Sequence, residues 1–300
     1  MKQPIDLVIP YVNYTDEKWQ QTFIATCEQN NITPAPERWR DMGTLVYLFR
    51  GIAQYMPWMR TVHLLVERES QVPKWIDRSK VNIVYHHDII PSWNLPTYNS
   101  QCFELFLHKI KGLSDYFLYG NDDIFPLQPM EPEDFFDKDT MRPKIRAFVS
   151  NVSIIDTYTF ALHNSERFAR RMLENGEVNL DKSFRFGHSI NPMCKATWKK
   201  IWEFDENAIK GSITTFRDSR NMNQDVHQCY HYLSGNYTRS NRKTMYTNIK
   251  DMQKVLDGIR STDVQMLCIN DTVVDNIDQV SMIINFELQK KFPEKCKYEL

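Results

Sequence analysis

The chain has 300 residues, 42% of them hydrophobic and 25% charged, with a formal net charge of −1; this is an ordinary globular composition near the size at which one core stops growing. So neutral a balance excludes broad electrostatic binding to nucleic acid, and no apolar run approaches the roughly 18 residues needed to span a bilayer. Six scattered cysteines without a C-x-x-C pair argue against zinc and for reduced thiols, and an acid as early as Asp6 argues against a secretory leader, so the expected location is the cytoplasm.

Ile5 to Val12 reads as a dense apolar strand. Asn13-Tyr14-Thr15-Asp16 follows, where a nucleotide rests in a doubly wound sheet, although the same residues also make a plain turn. Arg38, Arg40 and Asp41 precede a helix from Thr44 to Tyr55; Asp41 fits its N-cap, and Arg40 a phosphate contact at the helix start. Thr61 to Val66 and Val81 to Tyr85 are further strands. In His86-His87-Asp88 the adjacent imidazoles would point to opposite faces, so joint ligation is not expected and Asp88 is read as a capping or packing acid. Trp93 sits in a proline-bounded loop, the best-placed aromatic to stack on a sugar or base. Ser100 to Ile110 reads as a helix capped by Asn99 or Ser100.

Tyr116 to Tyr119 is a buried strand that ends at Gly120 and runs into Asn121-Asp122-Asp123. Paired carboxylates at a strand's carboxyl end can hold a hard divalent cation, the usual partner of a phosphorylated substrate; the alternative is an Asn-Asp turn with solvated acids. From Pro126 to about Arg185 prolines break the pattern. This stretch reads as an insertion or lid, with a strand near Ile145 to Ser150 and a helix near Ser165 to Glu174. Ala196 to Glu203 and Met222 to Leu233 are helical by spacing, the latter capped by Asp218 or Ser219. His227 and His231, on one face of that helix, are read as structural. Val264 to Ile269 is a strand that ends in Asn270-Asp271, the same device a second time. Asp122, Asp123 and Asp271 would share a cation if their strands lie close together.

His188, in a loop bounded by Gly187 and Pro192, is a candidate general base for a sugar hydroxyl, or simply a loop histidine. Arg217 and Arg220, just before a helix, suit a bidentate grip on phosphate oxygens, or local pairing with Asp218. The chain has no G-x-x-x-x-G-K-[ST] and no G-x-G-x-x-G, so metal, arginine and helix N-termini must carry any phosphate. The alternation of elements predicts an α/β fold: a Rossmann-like, mostly parallel sheet with helices on both faces and an inserted lid or helical region.

Taken together, these segments resemble the Stealth family of sugar-1-phosphate transferases, whose four blocks appear in order. The first is similar to Ile5 to Asn13 with Thr15-Asp16 and Trp19. The second begins at Arg38 and Arg40-Asp41-Met42-Gly43. It continues through Pro91, Leu95-Pro96-Thr97-Tyr98-Asn99-Ser100 and Leu118-Tyr119-Gly120-Asn121-Asp122-Asp123. The third is similar to Gly187-His188 and Phe216-Arg217-Asp218-Ser219-Arg220-Asn221, and the fourth to Cys268-Ile269-Asn270-Asp271 with Phe292-Pro293-Glu294. Tyr14 stands where the family often has glycine, and Gln101 where it often has a small residue or histidine.

The resemblance implies transfer of a hexose-1-phosphate from a nucleotide diphosphate sugar, UDP-linked by expectation, to a hydroxyl of a capsular or exopolysaccharide glycan. It implies a single catalytic domain over 1–300: a nucleotide-sugar half (1–125), the insertion or lid (126–185) and a completing part (186–300). His188, Arg217, Asp122 and Asp123 become catalytic, and Asn13, Asp16, Arg40, Asp41, Asn99, Arg220 and Asn270 substrate-binding. Asp123 and Asp271 become ligands of Mg2+ or Mn2+. The partners implied are the nucleotide sugar and a glycan or lipid-linked polysaccharide acceptor, the latter compatible with peripheral association at the inner membrane face. The rival expectations are a metal-dependent glycosyltransferase, which releases nucleoside diphosphate, and a non-catalytic glycan-binding protein.

Overall fold

The structure is a computed structural model that describes residues 3–35, 37, 39–151, 154–179 and 181–300; Arg38 lies outside the described residues. Four strands, β1 (Ile5–Pro10), β2 (Val62–Val66), β3 (Val81–Tyr85) and β4 (Tyr116–Tyr119), run parallel in the order β3-β2-β1-β4. β5 (Ile124–Pro126) leaves for a second sheet. β6 (Lys144–Ile145) and β7 (Ala147–Asn151) follow, and β8 (Lys182–Phe186) pairs antiparallel with β7. β9 (Asn191–Cys194) returns to the first sheet, antiparallel to β4. β10 (Thr238–Arg239) pairs with β6. β11 (Thr244–Asn248) runs parallel to β12 (Met266–Asn270), which lies antiparallel to β5. The expected mixed α/β architecture with a mostly parallel central sheet is the one observed.

The helices are α1 (Glu17–Gln29), α2 (Leu45–Tyr55), α3 (His86–Ile89), α4 (Ser100–Glu104) and α5 (Thr157–Leu173). They continue with α6 (Lys195–Phe204), α7 (Glu206–Gly211), α8 (Asp225–Leu233), α9 (Met252–Arg260) and α10 (Ile277–Lys291). Ile5, Leu7 and Ile9 of β1 pack with Leu48, Phe49 and Ile52 of α2 and with Val255, Ile284 and Leu288. Val8 faces the other way, into a cluster with Phe117, Tyr119, Trp198, Ile201 and Val226. A sheet buried on both faces needs apolar residues at successive positions, which is why its strands read as unbroken runs. Among the described residues no helix is long and apolar enough to cross a membrane.

Several sequence expectations shift. The 100–110 helix stops at Glu104, and a 3₁₀ turn over Leu107–Lys109 follows. The helix expected near Ser165 begins at Thr157, where Asp156 accepts from the Thr159 amide. Asp218 and Ser219 cap nothing at α8, which starts at Asp225 without a side-chain cap. Asp41 does not cap α2, whose N-cap is Thr44. Asp88 does act as a capping acid, accepting from the Tyr85 amide at 2.8 Å. His227 and His231 are buried, their Nε2 atoms facing the Cys194 amide and the Thr197 hydroxyl at 2.9 Å each.

Gly120 is where β4 meets the approach to β9. A Cβ there would stand 2.7 Å from Ile190 Cγ1. Gly120→Ala is therefore expected to destabilise by about 1–3 kcal/mol through overpacking, read as a lower urea midpoint at unchanged slope.

Candidate active site

β1 and β4 end side by side, with the Gly120 amide donating to Val8 O at 3.2 Å. Beyond β1, the Tyr11 hydroxyl donates to Asp41 Oδ2 at 2.5 Å, and the other Asp41 oxygen accepts from the Gly43 amide at 2.7 Å. Beyond β4 come Asp122 and Asp123. The Ile269 amide donates to Asp123 O at 2.9 Å, which lays β12 against this turn. Cys268 Sγ donates to Asp123 Oδ2 at 3.3 Å. The remaining oxygen, Asp123 Oδ1, is enclosed and has no hydrogen-bond partner among the described residues.

The electrostatics follow from this crowding. Burial pushes Asp122 up to about 8, with the charges of Asp123 and Asp41 adding to the effect. Burial also raises Asp123, and Asp271 adds to it, against the opposing pull of His188 and the Cys268 thiol. Carboxyl groups forced together in a half-buried site without a compensating cation mark a place built for positive charge. The unpartnered Asp123 oxygen and the repulsion between the pair fit a hard divalent ion held by Asp122 and Asp123.

His188 follows β8 in an exposed loop, its ring edge-on to Tyr246 at 5.6 Å between centroids. One of its nitrogens joins ligand atoms of Asp123 and Cys268 within 4.8 Å of one another. Behind it lies buried Asp225, pushed up to about 6 by burial and drawn partly back by the Asn223 amide, His188 and Arg185. Arg217 Nη2 donates to Ser100 Oγ at 3.1 Å. Its charge also acts on Glu104, a buried acid pushed up to about 7 by burial, which accepts from the Gln224 amide and the Tyr119 hydroxyl at 3.0 Å each.

Asp122, Asp123, Asp41 and His188 are thus linked to one another electrostatically, while Arg217 holds Ser100 and acts on Glu104, which in turn accepts from Tyr119. Asp271 approaches Asp123 electrostatically, but both its oxygens grip Arg40, at 2.8 Å to Nε and 2.6 Å to Nη2. Its expected place as a cation ligand meets a competing partner; it holds a guanidinium at the rim. Asn270 Nδ2 donates to the Asp271 carbonyl at 2.8 Å, firming the same corner.

Four expected binding residues are occupied elsewhere. Asn13 accepts from Thr15 in a local turn and shares its backbone with Gln71. Asp16 caps α1, accepting from the Lys18 and Trp19 amides, Ser70 and Gln71. Asn99 is 1% exposed, caps α4 and donates to Asn221 at 3.0 Å, so it organises the 214–221 turn. Arg220 pairs with Asp218 at 2.9 Å on the surface. Trp93 is 60% exposed. Glu104 and Asp225 are the site residues that sequence reasoning missed. The one signal for Glu104 was an acid between Phe103 and Leu105, where a solvated face was not expected.

Residues 38–144 match Stealth protein CR2, conserved region 2. An exopolysaccharide phosphotransferase, cps2G of Lactiplantibacillus plantarum, is 28% identical over 98% of this chain and 96% of its own. A capsular polysaccharide phosphotransferase of Neisseria meningitidis serogroup B is 28% identical over 92% of this chain and 79% of its own. Among solved structures, the galactosyltransferase LgtC in complex with donor and acceptor sugar analogues is 12% identical, with a TM-score of 0.46 over 95% of this chain and 96% of its own.

Proposed function

We propose that this chain, whose residues 38–144 match conserved region 2 of the Stealth proteins, is a capsular or exopolysaccharide sugar phosphotransferase that moves a hexose-1-phosphate from a nucleotide diphosphate sugar to a glycan hydroxyl. The convergence of Asp122, Asp123 and His188 at one strand end carries the reading. It is supported by similarity, over nearly the whole chain, to relatives named for polysaccharide phosphotransfer.

In this reading the acceptor hydroxyl attacks the sugar-bearing phosphorus, the P–O–P bond breaks, and nucleoside monophosphate leaves. Phosphoryl transfer is mostly positioning and charge neutralisation. A divalent cation on Asp122 and Asp123, Mg2+ or Mn2+, would supply charge neutralisation at the diphosphate. Exposed His188 takes the proton of the incoming hydroxyl. Arg40, aimed by Asp271, and Arg217, set by Ser100 and Glu104, hold nonbridging oxygens. Asp41 is kept in place by Tyr11 and adds to the negative field. The acceptor is a glycan, free or lipid-linked; in the lipid-linked case the protein works at the inner membrane face.

The test is a panel of nucleotide sugars with magnesium or manganese and a polysaccharide acceptor. Nucleoside monophosphate as co-product, with phosphodiester phosphorus in the glycan by ³¹P NMR, is the expected result. Release of nucleoside diphosphate would instead mean cleavage of the sugar C1–O bond and an ordinary glycosyltransferase. Sugar binding without turnover would mean a glycan-binding protein.

A further inference from the structure

Cysteine spacing along the sequence argues against zinc, but spacing rules describe ligands carried on one short loop. Here the fold assembles a cluster from three distant segments. Asp123 comes from the β4–β5 turn, His188 from the β8–β9 loop and Cys268 from β12. Each offers one ligand atom, and these atoms all lie within 4.8 Å of one another. Cys268 Sγ and Asp123 Oδ2 are 3.3 Å apart, close to the spacing of two ligands around a tetrahedral ion with bonds of about 2.0–2.3 Å. Asp123 Oδ1 has no hydrogen-bond partner among the described residues, so this carboxylate can turn an oxygen to an ion without breaking another bond. Cys268 is 1% exposed and held rigidly in its strand, while His188 lies open to solvent and gives an ion its way in.

We infer that Asp123, His188 and Cys268 form a site for a soft divalent transition ion, Zn2+ by chemical class, overlapping the hard-cation position. The donor set decides the class. Thiolate and imidazole select zinc-like ions, whereas Mg2+ takes oxygen ligands and ignores sulfur. Three protein ligands leave a fourth position to water. On binding, the Cys268 S–H bond breaks, its proton leaves to solvent, and an S–Zn bond forms. One consequence rests on the transferase reading. The ion occupies the imidazole that accepts the acceptor's proton and the carboxylate that faces the diphosphate, so Zn2+ inhibits.

The test is an anaerobic titration of the full chain with Co2+, a spectroscopic stand-in for zinc. The expected result is a thiolate-to-cobalt charge-transfer band that saturates at one ion per chain. Cys268→Ser should lack the band and bind Zn2+ at least about tenfold more weakly. His188→Asn, altered at an exposed ring and so safe for folding, should keep a sulfur band but lose affinity. A folded wild-type protein without the band overturns the site, as does a band that survives in Cys268→Ser. With the site present, magnesium-supported transfer should fall to background on adding Zn2+ and return on chelation; transfer that continues overturns the inhibitory role. If the cobalt band appears but no nucleotide sugar is ever turned over, the transferase reading falls and the metal site stands.

Discussion

Asp123→Asn should lower turnover by at least about a hundredfold while leaving thermal stability equal to or above that of the wild type, and His188→Ala should cause a loss of the same order at nearly unchanged stability. The two effects of Asp123→Asn have one cause. Asp122 and Asp123 lie beside each other in a half-buried turn with Asp41 and Asp271 nearby; burial raises both carboxyl groups, with the charges of Asp123 and Asp41 adding to it at Asp122 and that of Asp271 adding to it at Asp123. Neutralising one removes the repulsion, and the amide oxygen of asparagine can still accept from the Cys268 thiol. The fold therefore gains where the chemistry loses, as expected for residues retained for reaction and not for packing. His188 gives the complementary case. Its ring is exposed and touches Tyr246 only edge-on, so its removal leaves no cavity. Initial rates with the active nucleotide sugar, set beside thermal melts of the same preparations, check both. Near-normal turnover in either variant removes that residue from the mechanism.

The main strands were legible because a sheet buried on both faces writes continuous apolar runs. α1 was not, since Trp19, Phe23 and Cys27 are its buried residues among mostly polar neighbours. α9 carries Gly258, which reads as a breaker but lets the helix approach Leu267, 2.7 Å from where a Cβ would stand. α10 exposes Met282 and Phe286 while burying Ile284 and Leu288, so its sequence shows no clean face. In the site, Asp122 and Asp123 stood out because a strand ran straight into them. Asp16 and Asn99 carried the same pattern of a polar residue at an element boundary. A helix cap and a substrate contact ask for the same side chain, and the three-dimensional partners alone separate them. Glu104 and Asp225 were hidden for the opposite reason, as acids inside helical runs that acquire meaning only when folding sets them under Arg217 and His188.

Asp6 shows the same limit at the opposite end of β1, and it carries the largest expected effect on stability. In sequence it is merely an early acid; in the fold it is 0% exposed. Arg60 grips both its oxygens, at 2.7 and 2.5 Å, His63 Nε2 lies at 3.1 Å, and the Ser114 amide donates at 2.8 Å. Burial alone would raise the carboxyl, but the bonds from His63, Arg60 and Ser114 outweigh it and hold the group well below the usual carboxylate range. A folded-state value below the unfolded value of about 3.9 adds stability that is complete above roughly pH 5 and is lost as pH falls through the unfolded value toward the folded one. Asp6→Asn removes the charge and leaves His63 buried beside Arg60. The expected cost at pH 7 is about 3 kcal/mol, the low end for a broken buried pair, because the Arg60 side chain is 43% exposed and regains water. Urea unfolding at pH 7 and pH 3 tests both size and sign. The gap between wild type and variant should narrow at pH 3, where the wild-type carboxylate gives up part of its advantage. A gap that is equal or wider at pH 3 would mean that the network stabilises through packing and not through its charge.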